Sequence, residues 1–149
     1  QERKFDSEHS TLAVTYSSLA MILQALGDFR GARARIERAI EIDQRNLGRN
    51  NPRLAIRRSN LAVILRALGD LQGARVEIER SIEIDRSHRH PNHPLLANRY
   101  SNLAVILHDL GDLPGARARA EQAQRIALLQ PDGSQVRKGV QQAVGWLLK

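Results

Sequence analysis

The chain contains no cysteine, which excludes a disulfide framework, thiolate metal ligation and a cysteine nucleophile. Aromatic residues are nearly absent: Phe5, Tyr16, Phe29, Tyr100 and Trp146 are the full set. No apolar run approaches the roughly 20 residues that span a bilayer, and no signal peptide is visible. Lysine is scarce too, since 20 of the 23 cationic residues are arginine. What the chain does have is Ala, Leu, Ile and Val at helical spacing, enough for an aliphatic core and against disorder over most of its length. A cytoplasmic location is expected. The chain begins at Gln1 rather than Met and reads as a piece of something longer.

The net charge is +7, and its distribution matters more than its size. Residues 10–51 carry +2, residues 52–93 carry +3 and residues 94–135 carry zero, while residues 1–9 contribute −1 and residues 136–149 contribute +3. No basic run of the kind that marks a nucleic-acid arm appears.

One stretch recurs. Leu-Ala-Val-Ile-Leu-Arg-Ala-Leu-Gly-Asp-Leu-Gln-Gly-Ala-Arg at 61–75 has counterparts at 19–33 and 103–117, and Gly27, Gly69 and Gly111 are each 42 residues apart. A spacing that holds without slippage predicts stacked structural units. The expected organisation is a single repeat domain over 1–149. Its parts are repeats at 10–51, 52–93 and 94–130, followed by a capping helix at 134–148.

Within each repeat the pattern predicts two helices. The first is expected to start near Ser10 as N-cap, with residues 1–9 a frayed end of a preceding helix or loop. Leu12, Tyr16, Leu19, Ile22, Leu23 and Leu26 then recur at amphipathic spacing. Gly27 ends that helix and Asp28 caps the next, whose buried stripe holds Ile36, Ile40, Ala32, Ala39 and Leu47 and fades around residues 46–48. Pro52 and Pro94 mark the first turns of later helices, and Pro114 sits where a helix capped by Asp112 is still in its first turn. Pro131-Asp132-Gly133-Ser134 reads as a turn before a last helix carrying Val136, Val140, Val144, Leu147 and Leu148, with Trp146 a core plug. Ala20/Ala62/Ala104, Ala32/Ala74/Ala116 and Ala39/Ser81/Ala123 are the small residues that let paired helices approach closely.

These residues resemble the tetratricopeptide repeat: Tyr16, Leu19, Ala20, Gly27, Ala32 and Ala39, with their counterparts 42 and 84 positions on. The usual repeat is about 34 residues. Longer units with Asn-Leu-Ala in the first helix, opened by His93-Pro94 and Asn51-Pro52, are similar to those of kinesin light chains and related bacterial proteins. The resemblance implies an all-α fold, a right-handed solenoid of three antiparallel helix hairpins with a C-terminal capping helix. Two departures stand out: Arg58 occupies a slot normally large and apolar, and no proline closes the second helices.

The resemblance further implies a concave groove lined by the first helices, binding an extended peptide. The expected lining is Ser18, Met21 and Gln24, then Ser59, Asn60, Val63 and Arg66, then Ser101, Asn102, Val105 and His108. In peptide-binding members the Asn before Leu-Ala contacts the ligand main chain, which carries over to Asn60 and Asn102 and fails at Ser18. An amide offers a donor and an acceptor to any peptide backbone, although Asn60 and Asn102 could instead bridge neighbouring helices. Arg66 and His108, with Arg53, Arg57 and Arg99 nearby, point to an acidic guest, or else these arginines pair with their own neighbours.

His88, His90 and His93 lie within six residues of one another. They fall between repeats without counterparts elsewhere, so no metal and no cofactor is expected. No Ser–His–acid set or phosphate-cradling loop presents itself, and the chain reads as no enzyme. Three functional classes remain open: a module binding a protein or acidic peptide, a regulatory or structural arm of a larger signalling protein such as an NTPase, and a nucleic-acid binder. Spread charge and scarce lysine disfavour the last. No membrane partner is expected, and end-to-end self-association is compatible with a repeat array.

Overall fold

The computed structural model describes residues 2–149, with side chains from His9 onward. Gln1 lies outside the described residues. The helices are α1 (Glu2–Ala25), α2 (Phe29–Leu47), α3 (Pro52–Ala67), α4 (Leu71–His88), α5 (Pro94–Asp109), α6 (Leu113–Leu128) and α7 (Gln135–Val144), ending in a 3₁₀ turn, Gly145–Leu148. No strand occurs among the described residues. The chain forms two compact units, Gln1–Glu77 and Ile78–Lys149, with the division inside α4.

The turn between paired helices is built the same way each time. After α3, the Gly69 N–H donates to Arg66 O at 3.0 Å and the Asp70 N–H to Leu65 O at 2.9 Å, the Schellman closure. Gly69 takes φ +86°, which a residue with a Cβ adopts only under strain. Asp70 then serves the next helix, its carboxylate accepting from the Gly73 N–H at 2.9 Å. A Cβ on Gly73 would lie 2.7 Å from the Asp70 Cγ, so the second glycine leaves room for the cap. Asp28 with Gly31 and Asp112 with Gly115 repeat the arrangement. The recurring Gly-Asp and Gly-Ala-Arg are therefore a hinge with its cap.

The small residues form the seam. Ala20, Ala62, Ala104, Ala32, Ala74, Ala116, Ala39, Ser81 and Ala123 are all fully buried. Ala74→Leu should overpack the seam and lower stability by about 1–3 kcal/mol in urea denaturation. An unchanged midpoint would show slack at that position.

Two expectations about the chain's beginning are corrected. Residues 2–9 are helical, so α1 starts at Glu2 rather than near Ser10. Ser10 is no N-cap: its hydroxyl accepts from Arg53 Nη1 at 2.7 Å. The apolar stripe of α1 is also less covered than its spacing suggested. Leu12, Ile22 and Leu26 are exposed, whereas the counterparts Leu54 and Ile64 in α3 and Leu96 and Ile106 in α5 are buried. In the second helix Ile36, Ala39, Ile40 and Ile42 are buried as amphipathic spacing requires, but Leu47 is exposed.

At the other end α7 packs against α5 and α6. Ser134 caps α7 by accepting from the Arg137 N–H at 3.2 Å. Arg137 then straps α7 to the end of α6, donating to Leu128 O at 2.7 Å and to Ala127 O at 3.3 Å while pairing with Asp132. Val140 and Val144 are buried. Trp146 is not a core plug: it is 49% exposed, because the chain tightens into the 3₁₀ turn at Gly145 and the indole N–H is satisfied by Ala143 O at 2.9 Å.

Candidate functional site

The first helices present a stripe that follows from helix geometry, since residues three apart are surface neighbours. On α3 this gives Asn60, Val63 and Arg66, the first two half-buried and the arginine exposed. On α5 the counterparts are Asn102, Val105 and His108, all half-buried. On α1 the corresponding residues are Ser18, exposed, and Met21 and Gln24, half-buried. Each stripe runs from a polar group through an aliphatic one to a longer polar or basic side chain.

Two residues expected in the lining lie elsewhere. Ser59 and Ser101 are buried, and the Ser101 hydroxyl donates to Ala97 O at 2.9 Å within its own helix. One residue earlier than the stripe, the side chain already turns into the packed side, so these serines are set apart from a contact surface.

The arginines near the stripes are largely neutralised. Arg57 is buried and pairs with buried Asp43. Arg99 is buried and donates from Nε to Asp85 at 3.0 Å, the same carboxylate accepting from Arg89 at 3.3 Å. Burial holds the Arg99 guanidinium below its ordinary pKa, with Asp85 opposing that shift. Arg58, in the slot normally apolar, is buried against Glu77 at 2.7 Å. Sequence reasoning placed positive charge near the ligand face at Arg57 and Arg99; the structure spends both inside the packing. A signal was available, because Asp43 and Asp85, like Arg57 and Arg99, are 42 residues apart.

Sequence reasoning also missed the neighbour of His108. The rings of His108 and Trp146 meet edge to face, perpendicular, with centroids 4.7 Å apart. Asp109 Oδ1 lies 3.8 Å from His108 Nδ1. The stripe on α5 therefore ends at an aromatic wall supplied by the last turn.

The interrepeat histidines have local work. His93 caps α5, its Nδ1 accepting from the Leu95 N–H at 3.2 Å, and His90 Nδ1 accepts from the Asn92 N–H at 3.1 Å. Among the described residues no cluster of His, Asp and Glu could hold a metal ion. No helix of the described residues is long and apolar enough to cross a membrane.

Paired helices, a glycine–aspartate hinge and a seam of small residues define the class: an all-α helical-hairpin repeat. The tetratricopeptide repeat model matches residues 11–87 and 59–128, and the chain belongs to that family. No curated protein matches the sequence.

Among solved structures, BtubC (BKLC) from P. vanneervenii is similar over 90% of this chain and 57% of its own, with a TM-score of 0.78 and 23% identity. A kinesin-light-chain-like protein of Podosopora anserina, with nearly identical TPR-like repeats, is similar over 93% of this chain and 66% of its own, with a TM-score of 0.81 and 21% identity. The chain thus spans under two thirds of both. The first TPR of Spaghetti, bound to the HSP90 peptide SRMEEVD, matches over 94% of this chain and 96% of its own, with a TM-score of 0.65 and 15% identity. These likenesses establish a shared fold.

Proposed function

We propose that the chain is a protein-interaction module that binds an extended, acidic peptide segment through the first helices of its hairpins. The observation that carries this reading is the recurrence of one chemical triplet: Asn60–Val63–Arg66 and Asn102–Val105–His108, partly open while the adjacent serines are buried. The amides pair with the peptide main chain whatever its sequence. The aliphatic residues take the apolar side of the guest, and Arg66 favours carboxylates. That a TPR of similar fold was solved with a peptide containing two glutamates and a terminal aspartate supports the acidic character.

The test uses Asn60→Ala with Asn102→Ala. Each amide makes uncharged hydrogen bonds of about 1 kcal/mol, so the double variant should bind a fluorescent acidic peptide about 10- to 100-fold more weakly. Its circular dichroism should be unchanged. Normal binding by the folded double variant would end the assignment.

One observation favours a second reading, in which the chain is an arm of a longer repeat protein. Ile22 is 57% exposed where Ile64 and Ile106 are 0% and 1% exposed. Within the first unit α2 packs against both α1 and α3, yet Ile22 stays open. The occupant this reading assigns to the α1 face is the second helix of another hairpin of the same parent chain.

A further inference from the structure

The second unit contains a cavity of about 520 Å³, away from the stripe on α5, lined by residues of α4, the α4–α5 connection, α5 and α6. That volume falls in the range of small-ligand sites, roughly 300–1,000 Å³. Its lining is chemically divided. Ile126, Leu128 and Leu129 make an apolar wall, and Leu128 and Leu129 are more than half exposed. Arg86 and Arg125 bring two positive charges, and no lining residue is a carboxylate. Among the described residues neither arginine has an ion-pair or hydrogen-bond partner. The Tyr100 ring is buried, with its hydroxyl likewise unpartnered.

The repeat itself shows that the two charges come from different copies, Arg86 from the second and Arg125 from the third. Arg125 stands where the earlier copies have Glu41 and Glu83, and Arg86 where the first has Gln44. Tyr100 stands where the second has Arg58 and the first has Tyr16. Helix packing is satisfied with an acid at the position of Arg125, so the fold does not require the reversal. A pair of unneutralised guanidinium groups beside an open aliphatic wall suits one kind of guest, since arginine binds carboxylates with two parallel N–H donors.

We propose that this cavity is a second binding site, taking a carboxylate borne on an aliphatic chain. The carboxylate sits at Arg86 and Arg125 with the Tyr100 hydroxyl in reach, and the hydrocarbon covers Ile126, Leu128 and Leu129. The same chemistry is offered by a free aliphatic carboxylate and by a peptide ending in a free leucine.

The test is an amide-resolved NMR titration of the full chain with octanoate. Saturable shifts should be confined to the α4–α5 connection, the start of α5 and the end of α6, and octanol should leave those signals unmoved. Arg86→Gln with Arg125→Gln, both exposed side chains, should weaken octanoate binding about tenfold or more while the fold is retained. Asn60→Ala with Asn102→Ala should leave it unchanged, which separates this site from the peptide stripe. A tripeptide ending in leucine, titrated as the free acid and as the amide, identifies the source: tighter binding than octanoate assigns a peptide terminus, weaker binding a free carboxylate. Equal shifts with octanol, shifts elsewhere, full binding by the double arginine variant, or binding by neither carboxylate would overturn the proposal.

Discussion

Asp85→Ala should be the most damaging single substitution in the second unit, lowering stability by about 3–5 kcal/mol in urea denaturation followed by circular dichroism. The carboxylate is 1% exposed and accepts from both Arg99 and Arg89. Removing it strands the Arg99 guanidinium in a place where burial already disfavours its charge. Asp43→Ala should act in the same sense in the first unit through Arg57. The ion pair need not be a net source of stability, because desolvating two charges offsets most of their attraction. Asp85→Leu combined with Arg99→Met should therefore recover most of the loss. The end of the array supports this: Ala127 in α6 stands at the aspartate position and Gln141 in α7 at the arginine position, and α7 is fastened there by Arg137 instead. A loss below about 1 kcal/mol for Asp85→Ala, the level of an exposed pair, would show that the arginines reach water easily.

Ile64→Ala should cost about 2–5 kcal/mol, whereas Ile22→Ala, one repeat earlier, should cost well under about 1 kcal/mol. The two isoleucines occupy equivalent positions and undergo the same chemical change, so the comparison isolates burial. Ile64 is fully buried, and deleting its side-chain carbons leaves a cavity that close-packed neighbours refill only in part. Ile22 gives up contacts that water already replaces. Parallel denaturation of both variants reads the difference directly. Equal costs would mean that the α1 face is covered in solution.

The features legible in the sequence are the local ones. Gly69 and Asp70 announce a turn because positive φ and side-chain capping depend on the residue and its immediate neighbours. Pro52, Pro94 and Pro114 fix helix starts for the same reason. The seam was legible because Ala32, Ala74 and Ala116 recur in phase.

What escaped depends on neighbours that a helical pattern does not name. Ile22 and Ile64 look alike in sequence and differ only in what packs over them. Ser59 and Asn60 are adjacent polar residues, and only the helix's rotation decides which one is buried. Trp146 lies beyond the last repeat, so no register predicted that it would meet His108. The Asp85–Arg99 pair was the one miss with a visible signal, a 42-residue recurrence of both partners. Arginines beside a ligand face invite a ligand reading before a packing one.

The central claim is that the first-helix stripes bind an acidic peptide segment rather than nucleic acid. The direct measurement is fluorescence anisotropy of the wild-type chain with an acidic peptide, its Asn/Gln-substituted analogue and a single-stranded RNA, repeated across a salt series. Saturable binding of the acidic peptide is expected, with weaker binding of the neutral analogue and a shallow loss with salt because few charges are neutralised. Tighter binding of the RNA, with the steep salt dependence of phosphate neutralisation, would contradict it.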